Sequence, residues 1–177
     1  MKKLLLLAAD RKPARQGMEI LSDYIQKDLI QISAVVSEES FISNCKLLEK
    51  FEFDFINNEY RNESEILESI TRRKIDVLIC IQHPWVLSKT IIDSLGGNCF
   101  NIHFGKLPDY RGHHLAIHAI INDEDYHFTT CHWMIDEVDR GSRAFEEKVK
   151  IKAIDTAYDL QEAGVIHTKM LLRKILD

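Results

Sequence analysis

Asn101 and His103 stand two residues apart in the stretch Asn98-Cys-Phe-Asn-Ile-His-Phe-Gly-Lys-Leu-Pro-Asp-Tyr-Arg-Gly112. Polar and apolar residues alternate from Asn98 to His103, which is the pattern of a strand. Side chains two apart on a strand share a face. The amide and the imidazole therefore project together where the strand gives way to a loop holding Gly105, Pro108 and Gly112. One is an uncharged donor; the other exchanges a proton near neutral pH. That pair suits a reaction in which negative charge develops on an oxygen while a proton moves beside it.

Other residue groups invite a chemical reading, each with a plainer one beside it. Asp139, in Asp136-Glu-Val-Asp139-Arg-Gly141, is either a carboxylate partner for His103 or part of a hairpin turn, with Asp136 as a competitor. Arg11, Lys12 and Arg15 could grip phosphates or form a solvated helix start. His114 and His118 would share a helical face next to His113. No carboxylate or cysteine completes a ligand set at the spacing a metal needs, so the histidines are read as bordering a pocket or solvent. His132 and Trp133 fit core packing and a site wall equally well.

The elements that must position these groups alternate along the chain. Apolar runs of strand length lie at 3–9, 31–36 and 75–81, with amphipathic helical stretches at 14–27, 39–50 and 62–73 between them. This alternation predicts a parallel sheet with right-handed crossovers. A loop and short helix at 84–95, with Ser88 as N-cap, leads to the strand ending at His103. A helix at 114–122, strands at 126–135 and 142–151, and a closing helix from Asp155 or Thr156 to Leu176 complete the chain. The expected fold is α/β, three-layered and Rossmann-like, a mostly parallel twisted sheet with helices on both faces and one domain over 1–177. In such sheets ligands sit beyond the carboxyl ends of the strands. His103 and the loop from Gln82 occupy that edge, and the turn holding Asp139 could fold back to it.

Composition narrows the function. A hydrophobic share of 45%, a charged share of 29% and a net charge of -5 fit a globular protein and argue against nucleic acid as main partner. The start, Met-Lys-Lys-Leu-Leu-Leu-Leu-Ala-Ala, imitates a signal peptide but lacks a cleavage site, and reads better as a first buried parallel strand. The scattered cysteines, Cys45, Cys80, Cys99 and Cys131, read as reduced core residues of a cytoplasmic protein.

The motifs together resemble the folate-dependent formyltransferases: Asn101-Ile-His103, Leu107-Pro108-x-Tyr110-Arg111-Gly112, Asp136-Glu-Val-Asp139-Arg-Gly141, and Ile151-Lys-Ala-Ile-Asp-Thr-Ala157 as last strand and closing helix. The resemblance implies that 10-formyltetrahydrofolate donates a formyl group, with no metal. It also implies that Asn101 and His103 meet the oxyanion, His103 moves the proton, and Asp139 orients or strengthens His103. Gln82, His83, Pro84, Trp85, Val86 and Leu87 match the segment whose backbone reads the pterin ring, where the plainer reading is a capped loop. Asp136, Glu137 and Val138 would close the other side.

The branch is read from two places. Glycinamide ribonucleotide transformylases carry a Gly-rich phosphate loop after the first strand; here that loop is Ala8-Ala-Asp-Arg-Lys-Pro-Ala-Arg-Gln-Gly17. No second, tRNA-binding domain is expected. Residues 106–122 and 129–134 resemble the nucleotide-sugar N-formyltransferases. The expected acceptor is an amino-deoxy sugar on a nucleotide, met by Arg11, Lys12, Arg15, Lys106, Tyr110, Arg111, His113 and His114. The expected partners are small molecules, not nucleic acid or membrane, and the expected state is a monomer or homodimer. Alternatives are a small glycinamide ribonucleotide transformylase, a formyltetrahydrofolate hydrolase, or a silent binding module.

Overall fold

The computed structural model describes residues 1–58 and 62–177. Its centre is a seven-stranded sheet in the order β3-β2-β1-β4-β5-β6-β7. The strands are β1 (Lys2–Ala8), β2 (Ile30–Ser37), β3 (Asp54–Asn57), β4 (Val77–Ile81), β5 (Cys99–His103), β6 (Tyr126–Trp133) and β7 (Arg143–Lys150). Strands β1 to β5 pair parallel; β6 and β7 join antiparallel. The helices are α1 (Lys12–Gln26), α2 (Glu39–Asn44), α3 (Glu63–Arg73), α4 (Lys89–Ser94), α5 (Leu115–Ile121) and α6 (Ala157–Leu176).

The apolar run that opens the chain is β1. Leu4, Leu5, Leu6 and Leu7 are all fully buried, because a central strand meets core on both faces. Leu4 and Leu6 join Met18 and Leu21 of α1 and Leu171 and Leu172 of α6. Leu5 and Leu7 join Ile66 and Ile70 of α3 and Ile91 and Ile92 of α4. Polar contacts mark the strand's beginning. The Lys3 backbone N–H donates to the Asp76 carboxylate at 2.7 Å and the Lys3 ammonium to the Arg73 carbonyl at 2.8 Å.

Two expectations change. The helix expected over 39–50 stops at Asn44, and a single 3-10 turn follows at Leu48–Lys50. Edge strand β3 was not read from the sequence. It is four residues long, and its Asp54 is a charged residue held by Arg72, Arg73 and Ser69. The Arg73 hydrogen bond is the main reason that carboxyl is pulled down to about 2. Ser88 does precede α4 at the N-cap position, but its hydroxyl caps nothing. Helix α6 starts where expected, with Thr156 and Asp159 forming a reciprocal capping box. All four cysteines are buried. Among the described residues no helix is long and apolar enough to cross a membrane.

Helix α6 carries Gly164 where a Cβ would stand 2.5 Å from the Phe104 ring, so the glycine admits the aromatic side chain that follows His103. Gly164→Ala should destabilise the fold by about 1–3 kcal/mol through overpacking, despite alanine's better helix propensity. Urea unfolding of both proteins measures it; a stabilised variant would show that the ring moves aside freely.

Candidate active site

Strand order reverses between β1 and β4, and the carboxyl ends there open into a cleft of about 630 Å³. This is where a doubly wound sheet places its ligands. Strand β5 ends in the cleft and delivers Asn101 and His103. Strand β6 pairs antiparallel with it, setting His132 opposite Asn101 and Thr130 opposite His103. After Trp133 the chain doubles back. The Met134 N–H still bonds the Cys99 carbonyl at the beginning of β5, at 2.8 Å, whereas Asp139 reaches the residues at its end. Gly141 permits that return, since a Cβ there would lie 1.6 Å from the Trp133 oxygen.

The carboxylate of Asp139 is the meeting point. Its Oδ2 accepts the Gly112 N–H at 3.0 Å and lies 3.4 Å from His103 Nδ1. Its Oδ1 is 3.5 Å from both Asn101 Nδ2 and His132 Nε2. Burial pushes the Asp139 carboxyl up, but the contact with His132, the proximity of His103 and the Gly112 N–H together bring it below its ordinary value. It is therefore ionised at neutral pH.

His103 is 7% exposed, and its Nε2 lies 2.9 Å from the Tyr110 carbonyl. A carbonyl only accepts, so Nε2 carries the hydrogen. Burial lowers the His103 pKa, and Asp139 opposes this without overcoming it. The neutral ring then holds a lone pair on Nδ1, beside a carboxylate that would stabilise a proton arriving there. Such an arrangement suits a general base. A Cβ at Gly105 would stand 2.9 Å from His103 Nε2 and 3.1 Å from the Tyr110 oxygen, so glycine leaves room for this contact.

The remaining expected residues divide. Gln82, His83, Pro84, Trp85, Val86 and Leu87 line the cleft, as do Glu137 and Val138 of the turn; exposed Asp136 does not line it. His113 and His114 also line it. Gln82, His114 and Asp139 all have positive φ, at 55°, 61° and 52°. Left-handed backbone at non-glycine residues is strained and gathers at functional sites. Of the basic group after β1, only Arg11 faces the cleft. Lys12 bonds Glu162 at 2.5 Å, and Arg15 lies 3.6 Å from Asp10. Lys106 pairs with Asp109 at 3.0 Å, and the Tyr110 hydroxyl donates to Glu124 at 2.6 Å. Both border a separate void of about 10 Å³, room for one water. Arg111 is exposed. Among the described residues no three His, Cys, Asp or Glu side chains group as a metal site.

Two cleft residues that could hydrogen-bond a ligand escaped the sequence reading. Gln161 comes from the first turns of α6. His127 is 2% exposed, lines both cleft and void, and its Nε2 has no hydrogen-bond partner among the described residues. Its placement depends on the antiparallel register of β6 against β5, which no local pattern announces.

The chain belongs to the formyl transferase family, whose model matches residues 20–174. Methionyl-tRNA formyltransferase of Thermotoga maritima is 28% identical over 129 residues, 73% of this chain and 41% of the relative. Phosphoribosylglycinamide formyltransferase of Escherichia coli strain K12 is 30% identical over 98 residues, 55% of this chain and 46% of the relative. The chain therefore spans less than half the length of these curated relatives. The fold is also that of glycinamide ribonucleotide transformylase 1 from Geobacillus kaustophilus. That match has a TM-score of 0.83 and 20% identity over 99% of this chain and 97% of the other.

Burial holds the His127 pKa down at about 4, against 6.5 for the free side chain. A depressed histidine binds fewer protons folded than unfolded below pH 6.5, so stability present above that pH is lost as pH falls toward the folded value. Between pH 7.5 and 5, His127 should account for about 2 kcal/mol of lost stability. In His127→Gln the drop in unfolding free energy over that range should be smaller by about this amount. Denaturant melts at the two pH values decide; an unchanged drop would mean that the ring protonates freely in the fold.

Proposed function

We propose that this protein transfers a formyl group from 10-formyltetrahydrofolate to a primary amine. The observation that carries the reading is the convergence of Asn101, His103 and an ionised Asp139 at the carboxyl edge of the sheet, inside a ligand-sized cleft. The cleft fits the donor in character. Its lining includes the Gln82–Leu87 segment with apolar Trp85, Val86 and Leu87, and Val138 of the turn, as a flat heterocycle with polar edges requires. The bound donor supplies an activated formyl carbon. Attack by an amine makes a tetrahedral species with a charged oxygen, which an Asn101 N–H stabilises; one such donor is worth about 3–4 kcal/mol. His103 Nδ1 takes the amine proton and returns it to the departing nitrogen, with Asp139 stabilising the imidazolium between the two steps.

For the acceptor, we favour the amino group of a nucleotide-linked amino-deoxy sugar. The loop after β1 supports this over glycinamide ribonucleotide, because it lacks a Gly-rich turn and two of its amides are already engaged. The Asp10 N–H donates to the Glu38 carboxylate at 2.9 Å and the Arg11 N–H to the Ala9 carbonyl at 2.7 Å, which withdraws both from any amide cradle for a phosphate there. The likeness to phosphoribosylglycinamide formyltransferase keeps that substrate as the second reading. Arg11 and Gln161, which also line the cleft, would meet the acceptor.

Mass spectrometry of products from formylfolate with amino-sugar nucleotides, glycinamide ribonucleotide, or no amine tests this. A formylated sugar supports the reading, formylated glycinamide ribonucleotide replaces its acceptor, and free formate without amine makes the protein a hydrolase. His103→Asn should lower turnover by about 100-fold or more with folding retained. The acidic limb of kcat/KM should lie below pH 6.5, the ordinary value from which His103 is lowered. Near-parental turnover in a folded variant would remove His103 from the chemistry. Arg11→Glu should raise the acceptor KM about tenfold and leave that of the folate unchanged.

A further inference from the structure

His132 is buried in β6, its side chain 3% exposed, and it faces Asn101 across the β5/β6 pair. Its ring nitrogens have unlike partners. Nδ1 lies 2.9 Å from the Trp133 carbonyl oxygen and must carry the hydrogen, because a carbonyl cannot donate. In the neutral ring Nε2 is then a lone pair, with Asn101 Nδ2 at 3.0 Å and Asp139 Oδ1 at 3.5 Å, so that an Asn101 N–H is the donor between two acceptors.

A carboxamide can point its NH2 or its oxygen at a neighbour, and the two choices are nearly equal in shape. Here they differ sharply in electrostatics. The group beside Asn101 other than His132 is Asp139 Oδ1, at 3.5 Å. Both neighbours are acceptors, so reversing the amide would set its oxygen against a lone pair and a carboxylate. We infer that His132 is a positioning residue: its lone pair takes one N–H of Asn101 and so keeps the NH2 rather than the oxygen turned inward, leaving the second N–H in a long 3.5 Å contact with Asp139 Oδ1 that it can exchange for the developing oxyanion. The inference rests on the role given to Asn101 above.

The backbone holds His132 in this state. A bulge shifts the β6/β7 register at this point, so that Cys131 faces Phe145 and His132 faces Arg143. The Trp133 N–H bonds the Ser142 carbonyl at 2.9 Å, and Gly141 lies flat against the Trp133 oxygen. The carbonyl that determines the tautomer is thus fixed by the same turn that carries Asp139. A ring whose Nδ1 bonded solvent could exchange tautomers and lose its hold on the amide.

Two substitutions separate this role from simple packing. His132→Asn keeps a donor where Nδ1 stood and places nothing at Nε2. His132→Gln reaches the Nε2 position with a carbonyl oxygen. The first measurement needs no substrate: exchange with water of the Asn101 side-chain amide hydrogens in nitrogen-15-labelled protein, assigned by their loss in Asn101→Ala. Exchange should quicken about tenfold or more in His132→Asn and return toward the parental rate in His132→Gln. In turnover, His132→Asn should lower kcat about tenfold or more with both KM values within about twofold, and His132→Gln should recover most of it. Unchanged amide exchange in folded His132→Asn, or His132→Gln no better than His132→Asn, overturns the inference. Should His132→Asn fail to fold, His132→Leu, which fills the site without a lone pair, carries the same expectation. A parent protein that transfers no formyl group would refute the proposed reaction, while amide exchange would still decide whether His132 orients Asn101.

Discussion

Everything at the cleft depends on keeping one carboxylate charged in a place where burial works against it. Asp139 is 9% exposed at its side chain, and an isolated ion there would be costly. The donors that meet it are the Gly112 N–H from the loop after β5 and the Asn101 amide of β5, with the His103 ring close enough to share a proton. The same contacts tie three stretches of chain to a single point. Binding energy for the ion and geometry for the site are one set of interactions. Neutralising the carboxylate would loosen the loop, the imidazole and the carboxamide together.

The topology explains why this point lies at the change from parallel to antiparallel pairing. A parallel neighbour would send its carboxyl end to the same edge as β5 and need a crossover before the next strand. Antiparallel β6 instead runs back along β5 from its end, so Thr130 lies level with His103, His132 lies two pairs deeper beside Asn101, and His127 lies beyond the end of β5 where it still lines the cleft. The following turn must return over the sheet face to reach His103, and Gly141 makes that return possible. Without the change of direction, Asp139 would not meet the imidazole.

Much of this was legible because it is local. Alternation around Asn101 and His103, the apolar run of β1 and the capping box at Thr156 each declare themselves within a few residues. The parts that were not legible depend on partners distant in the chain. Strand β3 is a strand because β2 offers it an edge and Arg73 holds its Asp54; its four residues alone are too few for a periodicity. Lys12 and Arg15 look like two thirds of a basic grip until α6 supplies Glu162 and the loop turns Asp10 toward Arg15. His132 was ambiguous for the same reason. A histidine on a strand declares its chemistry only when both ring nitrogens have named neighbours.

The four leucines of β1 bear on how the sheet finds its alignment. Leu4 to Leu7 present the same side chain to both faces, so sliding the strand by one position would bury nearly the same hydrocarbon. Oiliness therefore conveys no alignment information in the strand that lies at the middle of the sheet. Alignment must be written at its ends, in charges and hydrogen bonds that tolerate no displacement. Lys3, held by Asp76 and the Arg73 carbonyl, does this at one end, and the Ala9 N–H bonded to the Ile81 carbonyl at 3.3 Å does so at the other. A misaligned β1 would cost little in the core and would shift the loop that begins at Asp10. In this protein the accuracy of a polar cleft rests on a few hydrophilic fasteners around an otherwise featureless greasy ribbon.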